Sequence, residues 1–307
     1  MGEHPGGRTR AGIWYAVFAY AFWGVVPVYL QLTKGIDGFE LIGWRVIASV
    51  VVGFALVAAT RGWSRLAGVL RSRRDTVSLV LAGCAVLVNW TAFFIGVLSD
   101  RVLETSLGYF LNPLVSVVLA VAFLGERLRP VQWVAVGLGA LGVLVMVVGY
   151  GEVPWIGLTV ALSFGVYGLI KKRVGGSVDA LSGFTIETVA ALPAALVMMG
   201  IAISLQGVTV GANGAAGIWG TVGLGVITAV PLLAFAAAAR RISLTALAFT
   251  QYLAPIISFL FGAFVMLEPM PLERWIGFAL VWASLALVSL DLLGRHARRP
   301  RPEPAAA

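Results

Sequence analysis

The chain has 307 residues, 60% of them hydrophobic and only 12% charged, with a formal net charge of +8. Soluble domains carry about a quarter charged residues, so these figures exclude a soluble enzyme or binding module and point to an all-α integral membrane protein. One cysteine, Cys84, and two histidines, His4 and His296, exclude a disulfide framework and a histidine–cysteine metal centre, and no cofactor is expected.

A spanning helix needs roughly 20 mainly apolar residues, and ten such runs follow one another. The first, near 12–33, comes after a short polar tail, 1–11, and contains Tyr20. Basic residues ahead of it imitate a secretory signal, but nine more spans follow and no small-residue cleavage site is evident, so it is read as retained. The second, near 40–59, carries Arg45; the third, near 76–98, carries Cys84 and Asn89. The fourth, near 104–124, holds Tyr109 and the pair Asn112-Pro113. The fifth, near 131–149, follows Glu126, and the sixth lies near 154–170. The seventh, near 180–203, contains Glu187, and the eighth lies near 216–237. The ninth, near 244–266, holds Gln251, Tyr252 and Pro255, and the tenth, near 274–293, follows Glu268. The basic tail 294–307 is expected to be disordered.

Charge orients these spans. With the N-terminus inside, ten crossings put 18 of the 22 basic residues on the cytoplasmic side, in the two tails, in 61–74, and at Arg127, Arg129, Lys171, Lys172, Arg173, Arg240 and Arg241. Lys34, Arg101 and Arg274 fall on the other side, and Arg45 falls within a span. Lysine and arginine bias sets orientation, so both termini are expected in the cytoplasm; the preference for arginine, 19 against 3 lysines, points to a GC-rich bacterial genome, and the expected location is a bacterial inner membrane. The positive charge thus serves topology and anionic headgroups, and no nucleic-acid partner is expected. Trp14, Trp63, Trp133, Trp155, Trp219 and Trp275 fall near span ends, where interfacial tryptophans anchor helices.

The second half repeats the first. Leu111 and Leu253, Pro113 and Pro255, Ser116 and Ser258, Glu126 and Glu268, and Trp133 and Trp275 are all 142 positions apart, as are Asp37 and Asp179. Each half then holds five spans, 12–149 and 150–293, and an odd number of crossings makes the second half enter from the opposite side. Ten helices in two inverted five-helix repeats are the expected fold, with a solute site between the repeats as in secondary transporters.

Polar residues inside the spans are the candidate site. Arg45 and Glu187 are also 142 apart, symmetry mates of opposite charge. Two readings stay open for them: a salt bridge or snorkelling, or an anion-binding or proton-linked gate. Asn89 and Asn112 either join helices or bind solute; Tyr20, Tyr109, Gln251 and Tyr252 are candidates for a pocket lining. Pro113 and Pro255 each remove a backbone donor and free a carbonyl four residues back, at Tyr109 and Gln251, giving packing kinks or paired hinges. Glu126 and Glu268 precede helices on opposite membrane faces, which suits helix-end stabilisation and not a shared acid–base pair. Gly137, Gly139, Gly223 and Gly225 lack the strand–loop–helix setting of a phosphate loop and instead let helices approach.

The strings AYAFWGVVPVY (19–29), ETSLGYFLNPLV (104–115), FLGERLRPVQW (123–133), IET (186–188) and VPLLAFAAAARRISLTALAFTQY (230–252) resemble the RarD-type permeases of the drug/metabolite transporter superfamily. The likeness runs from about residue 12 to 294, and it implies a ten-helix transporter with two EamA-type halves. A histidine usually precedes the second-helix arginine in that family, and here Trp44 stands before Arg45. A label of chloramphenicol sensitivity accompanies the resemblance. The function expected is a secondary transporter exporting a small metabolite or drug-like solute by alternating access, as monomer or homodimer, with proton coupling open. The alternatives are a non-coupled facilitator or receptor of the same fold, or a membrane-embedded enzyme, for which no acid cluster or activated nucleophile is found.

Overall fold

The computed structural model describes residues 5–124, 130–150, 152–174, 177–211, 214–239, 241, 250 and 252–298. Its regular elements are helices: α1 (Pro5–Leu30), α2 (Gly38–Ala59), α3 (Trp63–Arg71), α4 (Arg73–Leu98), α5 (Val102–Leu124), α6 (Pro130–Tyr150), α7 (Trp155–Val174), α8 (Ala180–Gln206), α9 (Gly214–Val222), α10 (Leu224–Ala239), α11 (Leu253–Leu260) and α12 (Leu272–Arg298). Among the described residues seven segments are long and apolar enough to cross a bilayer, and Trp155–Lys171 and Leu253–Val265 are shorter apolar helices. All six tryptophans expected as interfacial anchors are exposed, whereas Trp23 and Trp90 pack against the main core.

Local chemistry explains the helix starts. Asp37 caps α2 by accepting from the backbone N–H groups of Phe39 (2.8 Å) and Glu40 (3.1 Å). Its counterpart Asp179 caps α8 by accepting from Ser182 N–H at 3.1 Å. Each aspartate satisfies donors that the first helical turn leaves unpaired. The basic stretch 61–74, expected only as a connection, forms the short amphipathic helix α3. Its Leu66 and Val69 are buried with Val57, Leu79, Val174 and Ile186, while Trp63 stacks on Phe54.

The eighth expected span carries a one-residue turn within its length. A turn at Gly223 separates α9 from α10, and there the Tyr29 hydroxyl donates to the Gly220 carbonyl at 2.5 Å. A Cβ on Gly223 would meet that hydroxyl, so a larger residue there requires the Tyr29 side chain to move. The prolines also differ from the expectation of matched kinks. Pro113 lies within the continuous helix α5, but Pro255 occupies the first turn of α11, just after a turn at Tyr252. In a first turn the missing N–H would have had no helical partner, so no carbonyl is freed by Pro255 within that helix. Beyond α11 the chain closes a π-helical turn, Phe261–Val265.

Two compact units emerge, one of residues 1–112 and 155–269, the other of 113–154 and 270–307, with the division falling inside α5 at Asn112/Pro113. In the larger unit α1 packs on α10 and α11, α4 on α7 and α8, and α2 on α8 and α10. Its core includes Leu30, Leu41, Ile42, Val46, Phe94, Val97, Ile156 and Val160. In the smaller unit α6 packs along α12. There Ser284 donates to the Ala135 carbonyl at 2.5 Å, and a Cβ at Gly142 would meet the Gly277 carbonyl oxygen at 2.8 Å.

Candidate functional site

Hydrogen bonds at the helix ends fix which termini of the larger unit lie together. The Asp37 N–H donates to Thr209 Oγ1 (2.8 Å), Gln206 Nε2 donates to Asp37 (3.0 Å), and Thr209 N–H donates to the buried Glu40 (2.7 Å). The start of α2 therefore sits beside the end of α8. At the same end Lys34 pairs with Asp100 at 2.8 Å, joining the ends of α1 and α4. Glu104, paired with Arg101 at 2.7 Å, accepts from Ile156 N–H at 2.7 Å and so caps α7 from α5. Glu268 accepts from the N–H groups of Val102 (2.6 Å) and Leu103 (3.2 Å). It thus stabilises a helix terminus, but that of α5, not the helix that follows it in the chain. Glu126 lies outside the described residues.

Between these ends, α2 and α4 hold Arg45. Trp90 and Phe94, four apart on α4 and hence on one face, present their rings to its guanidinium at 4.3 and 5.0 Å. The Arg45 Nε is buried and has no hydrogen-bond partner among the described residues, and neither has the buried hydroxyl of Ser49 one turn along. Arg45 as a residue is half-buried. Tyr109 is close enough to interact with its charge.

Tyr109 begins a polar and aromatic track. Its hydroxyl donates to Asn89 Oδ1 at 3.3 Å, and Asn89 Nδ2 donates to the Val160 carbonyl (3.0 Å) and to Ser163 (3.2 Å). Asn89 therefore joins α4 to α7, which uses its hydrogen-bonding capacity structurally while holding the Tyr109 ring in place. Tyr109 contacts Phe93 and Phe164 edge-on, and Phe164 lies against Tyr167. The Tyr167 hydroxyl donates to Glu187 at 3.2 Å, and Lys171 completes the track with a 2.7 Å ion pair to Glu187.

Arg45 and Glu187 are not brought together, although their spacing suggested a pair. Asp37 beside Gln206, Gly43 against Met199 and Gly53 against Thr185 show α2 and α8 running antiparallel. Residues equally far from their own caps then lie at opposite levels. Arg45 is level with residues near 196, about nine residues or 13 Å along α8 from Glu187 at 1.5 Å per residue. Lys171, counted in the sequence only toward topology, is the true partner of Glu187. Also missed were Glu40 and Glu104, buried acids in first helical turns, whose position at the very start of predicted spans was the available signal, and Ser49, Trp90, Phe94, Phe164 and Tyr167, which read as ordinary span residues.

Of the remaining candidates, Tyr20 packs with Trp23 and Phe235 in a separate aromatic group. Asn112 is buried in α5, Tyr252 is half-buried at the turn before α11, and Gln251 lies outside the described residues. Ser258 donates to the Gly24 carbonyl at 3.3 Å, fastening α11 to α1.

The EamA-like transporter family model matches residues 10–148 and 153–290. Protein RarD of Streptomyces exfoliatus is 42% identical over 296 residues, covering 96% of this chain and 92% of that protein. An uncharacterized transporter of Vibrio cholerae is 37% identical over 299 residues, 95% and 97% of the two chains. A crystal structure at 20% identity matches with a TM-score of 0.59 over 96% of this chain and 100% of its own, which establishes a shared fold. The chain is a multi-pass membrane transporter and not an enzyme; it belongs to the EamA-like transporter family and, within it, to the RarD-type permeases.

Proposed function

We propose that this permease is a secondary carrier of ten transmembrane helices in two inverted five-helix repeats, 12–149 and 150–293. It exports a small metabolite or drug-like solute across the bacterial inner membrane by alternating access, with both termini cytoplasmic. One observation carries the reading. The matched caps fall at opposite ends of the larger unit: Asp37 beside Thr209 and Gln206, Asp179 within reach of Arg65 on α3. An antiparallel relation of matched helices supports inverted repeats, and two such repeats that exchange conformations open a site alternately to either side. The half-buried Arg45, Trp90, Tyr109, Phe164 and Tyr167 supply the polar and aromatic surface expected of a solute path.

Counterflow in proteoliposomes tests this. A carrier preloaded with unlabelled solute accumulates labelled solute transiently, whereas a facilitator equilibrates it without overshoot and a receptor does neither. Chloramphenicol, with a panel of small metabolites, is the starting set. Absence of overshoot for every solute that stabilises the purified protein would sink the carrier reading.

A further inference from the structure

We propose that Arg45 and Ser49 form an anion-recognising subsite, and that its ligand is a small organic carboxylate with a flat apolar body. The inference rests on the carrier reading and narrows its substrate class.

The charge balance of the larger unit leads there. Each buried glutamate in it already has its own partners. Glu40 accepts from Thr209 and the Trp44 indole, and Glu104 from Arg101 and the start of α7. Glu187 takes Lys171 and Tyr167, and Glu268 takes the first N–H groups of α5. Arg45 forms no ion pair among the described residues, and its Nε–H is sealed from water without an acceptor. A sealed N–H without an acceptor on a half-buried cation is costly, and the rings of Trp90 and Phe94 offset only part of the cost.

Geometry selects the ligand. Guanidinium faces are the surfaces that stack on rings, whereas its in-plane N–H edges accept a carboxylate side by side. With Trp90 and Phe94 against Arg45, the edge remains for an anion, and the unpartnered Ser49 hydroxyl adds a donor one turn away. Neighbouring Tyr109 and Phe164 are half-buried aromatics, held edge-on to each other, that suit a flat apolar body better than a sugar or an inorganic ion.

The test uses the purified full-length protein with benzoate, its neutral isostere benzamide, its cationic counterpart benzylamine, and sodium chloride as an ionic control. Benzoate should raise Tm while the other three do not. Arg45→Gln should weaken benzoate about tenfold or more, the scale of a lost charge-assisted hydrogen bond, with Ser49→Ala weakening it less. Should Arg45→Gln not elute as folded protein, Ser49→Ala and the wild-type isostere comparison still decide. Protection by benzamide or chloride equal to that by benzoate, or none by benzoate, overturns the proposal. Counterflow separates the two readings. Benzoate that binds through Arg45 but never exchanges refutes the carrier and leaves the subsite. Exchange of an uncharged solute that Arg45→Gln leaves intact, without benzoate binding, refutes the subsite and leaves the carrier.

Discussion

Replacing Lys171 by alanine should cost more stability than replacing its partner Glu187. The pair is 2.7 Å apart, but its members are unequally buried: the Glu187 side chain is 4% exposed and that of Lys171 30%. Lys171→Ala strands a carboxylate that water does not reach, leaving Tyr167 as its hydrogen-bond donor. Breaking a buried pair costs about 3–5 kcal/mol, and partial exposure of the lysine lowers this to about 2–3 kcal/mol. Glu187→Ala strands only an ammonium able to turn outward and a tyrosine hydroxyl, about 1–2 kcal/mol. The double variant should fall near the glutamate variant, giving a coupling of about 2 kcal/mol. Arg45→Ala combined with Glu187→Ala should instead be additive within about 0.5 kcal/mol, since about 13 Å of helix rise separates the two side chains. Both cycles can be read from unfolding in mixed micelles titrated with dodecyl sulfate. A coupling above about 1 kcal/mol between Arg45 and Glu187, or below about 0.5 kcal/mol between Lys171 and Glu187, would refute the antiparallel register that assigns the partners.

Glu268→Ala, which leaves the Val102 and Leu103 N–H groups buried without their acceptor, should destabilise by about 1–3 kcal/mol in the same assay. Burial alone would raise the Asp179 carboxyl, but hydrogen bonds from Ser182 and the nearby Arg65 outweigh it and hold it below its ordinary 3.8. Its contribution is therefore complete above that value and is lost as pH falls through the lower folded value, so Asp179→Asn should flatten the acid limb of the stability curve. Pro113→Ala should slow exchange more than it lowers membrane abundance, because the division between compact units falls at that residue; a strictly proportional fall would make Pro113 a packing device. In a Cys84→Ala background, a cysteine at Val210 should label from outside intact cells and one at Ser64 only after permeabilisation, and the reverse pattern would refute the proposed orientation.

Apolar run length and charge gave most helices within a few residues, because a bilayer imposes both a length and a side on each span. What run length does not reveal is a local break. The turn at Gly223 sits where a tyrosine nearly two hundred residues earlier donates to Gly220, a tertiary contact with no local trace. The helix α3 was missed for a related reason: a nine-residue amphipathic helix is too short and too basic to register as a span. Helix caps were half legible. The matched aspartates Asp37 and Asp179 were visible as a repeat, but their role needed the N–H groups they accept from.

The Arg45–Glu187 spacing misled for a reason that in turn locates the proposed symmetry axis. Under an inverted repeat, residues 142 apart lie equally far from the axis on either side of it, so matched residues meet only where the axis crosses their helices. Along α2 and α8 the facing pairs, from Asp37 with Gln206 through Gly43 with Met199 to Gly53 with Thr185, converge on Ser49 and Ala191, themselves 142 apart and both buried. The crossing lies there, one helical turn from Arg45 on one side and from Glu187 on the other. A carrier with its site on this axis would offer a solute Arg45 at one level and the Lys171–Glu187 pair at the other, with Ser49 between them. Enlarging the matched position, Ala191→Leu, should therefore obstruct exchange while sparing binding of a small carboxylate at Arg45. If the variant folds and exchanges at the wild-type rate, the path does not run past Ser49 and the axis has been misplaced.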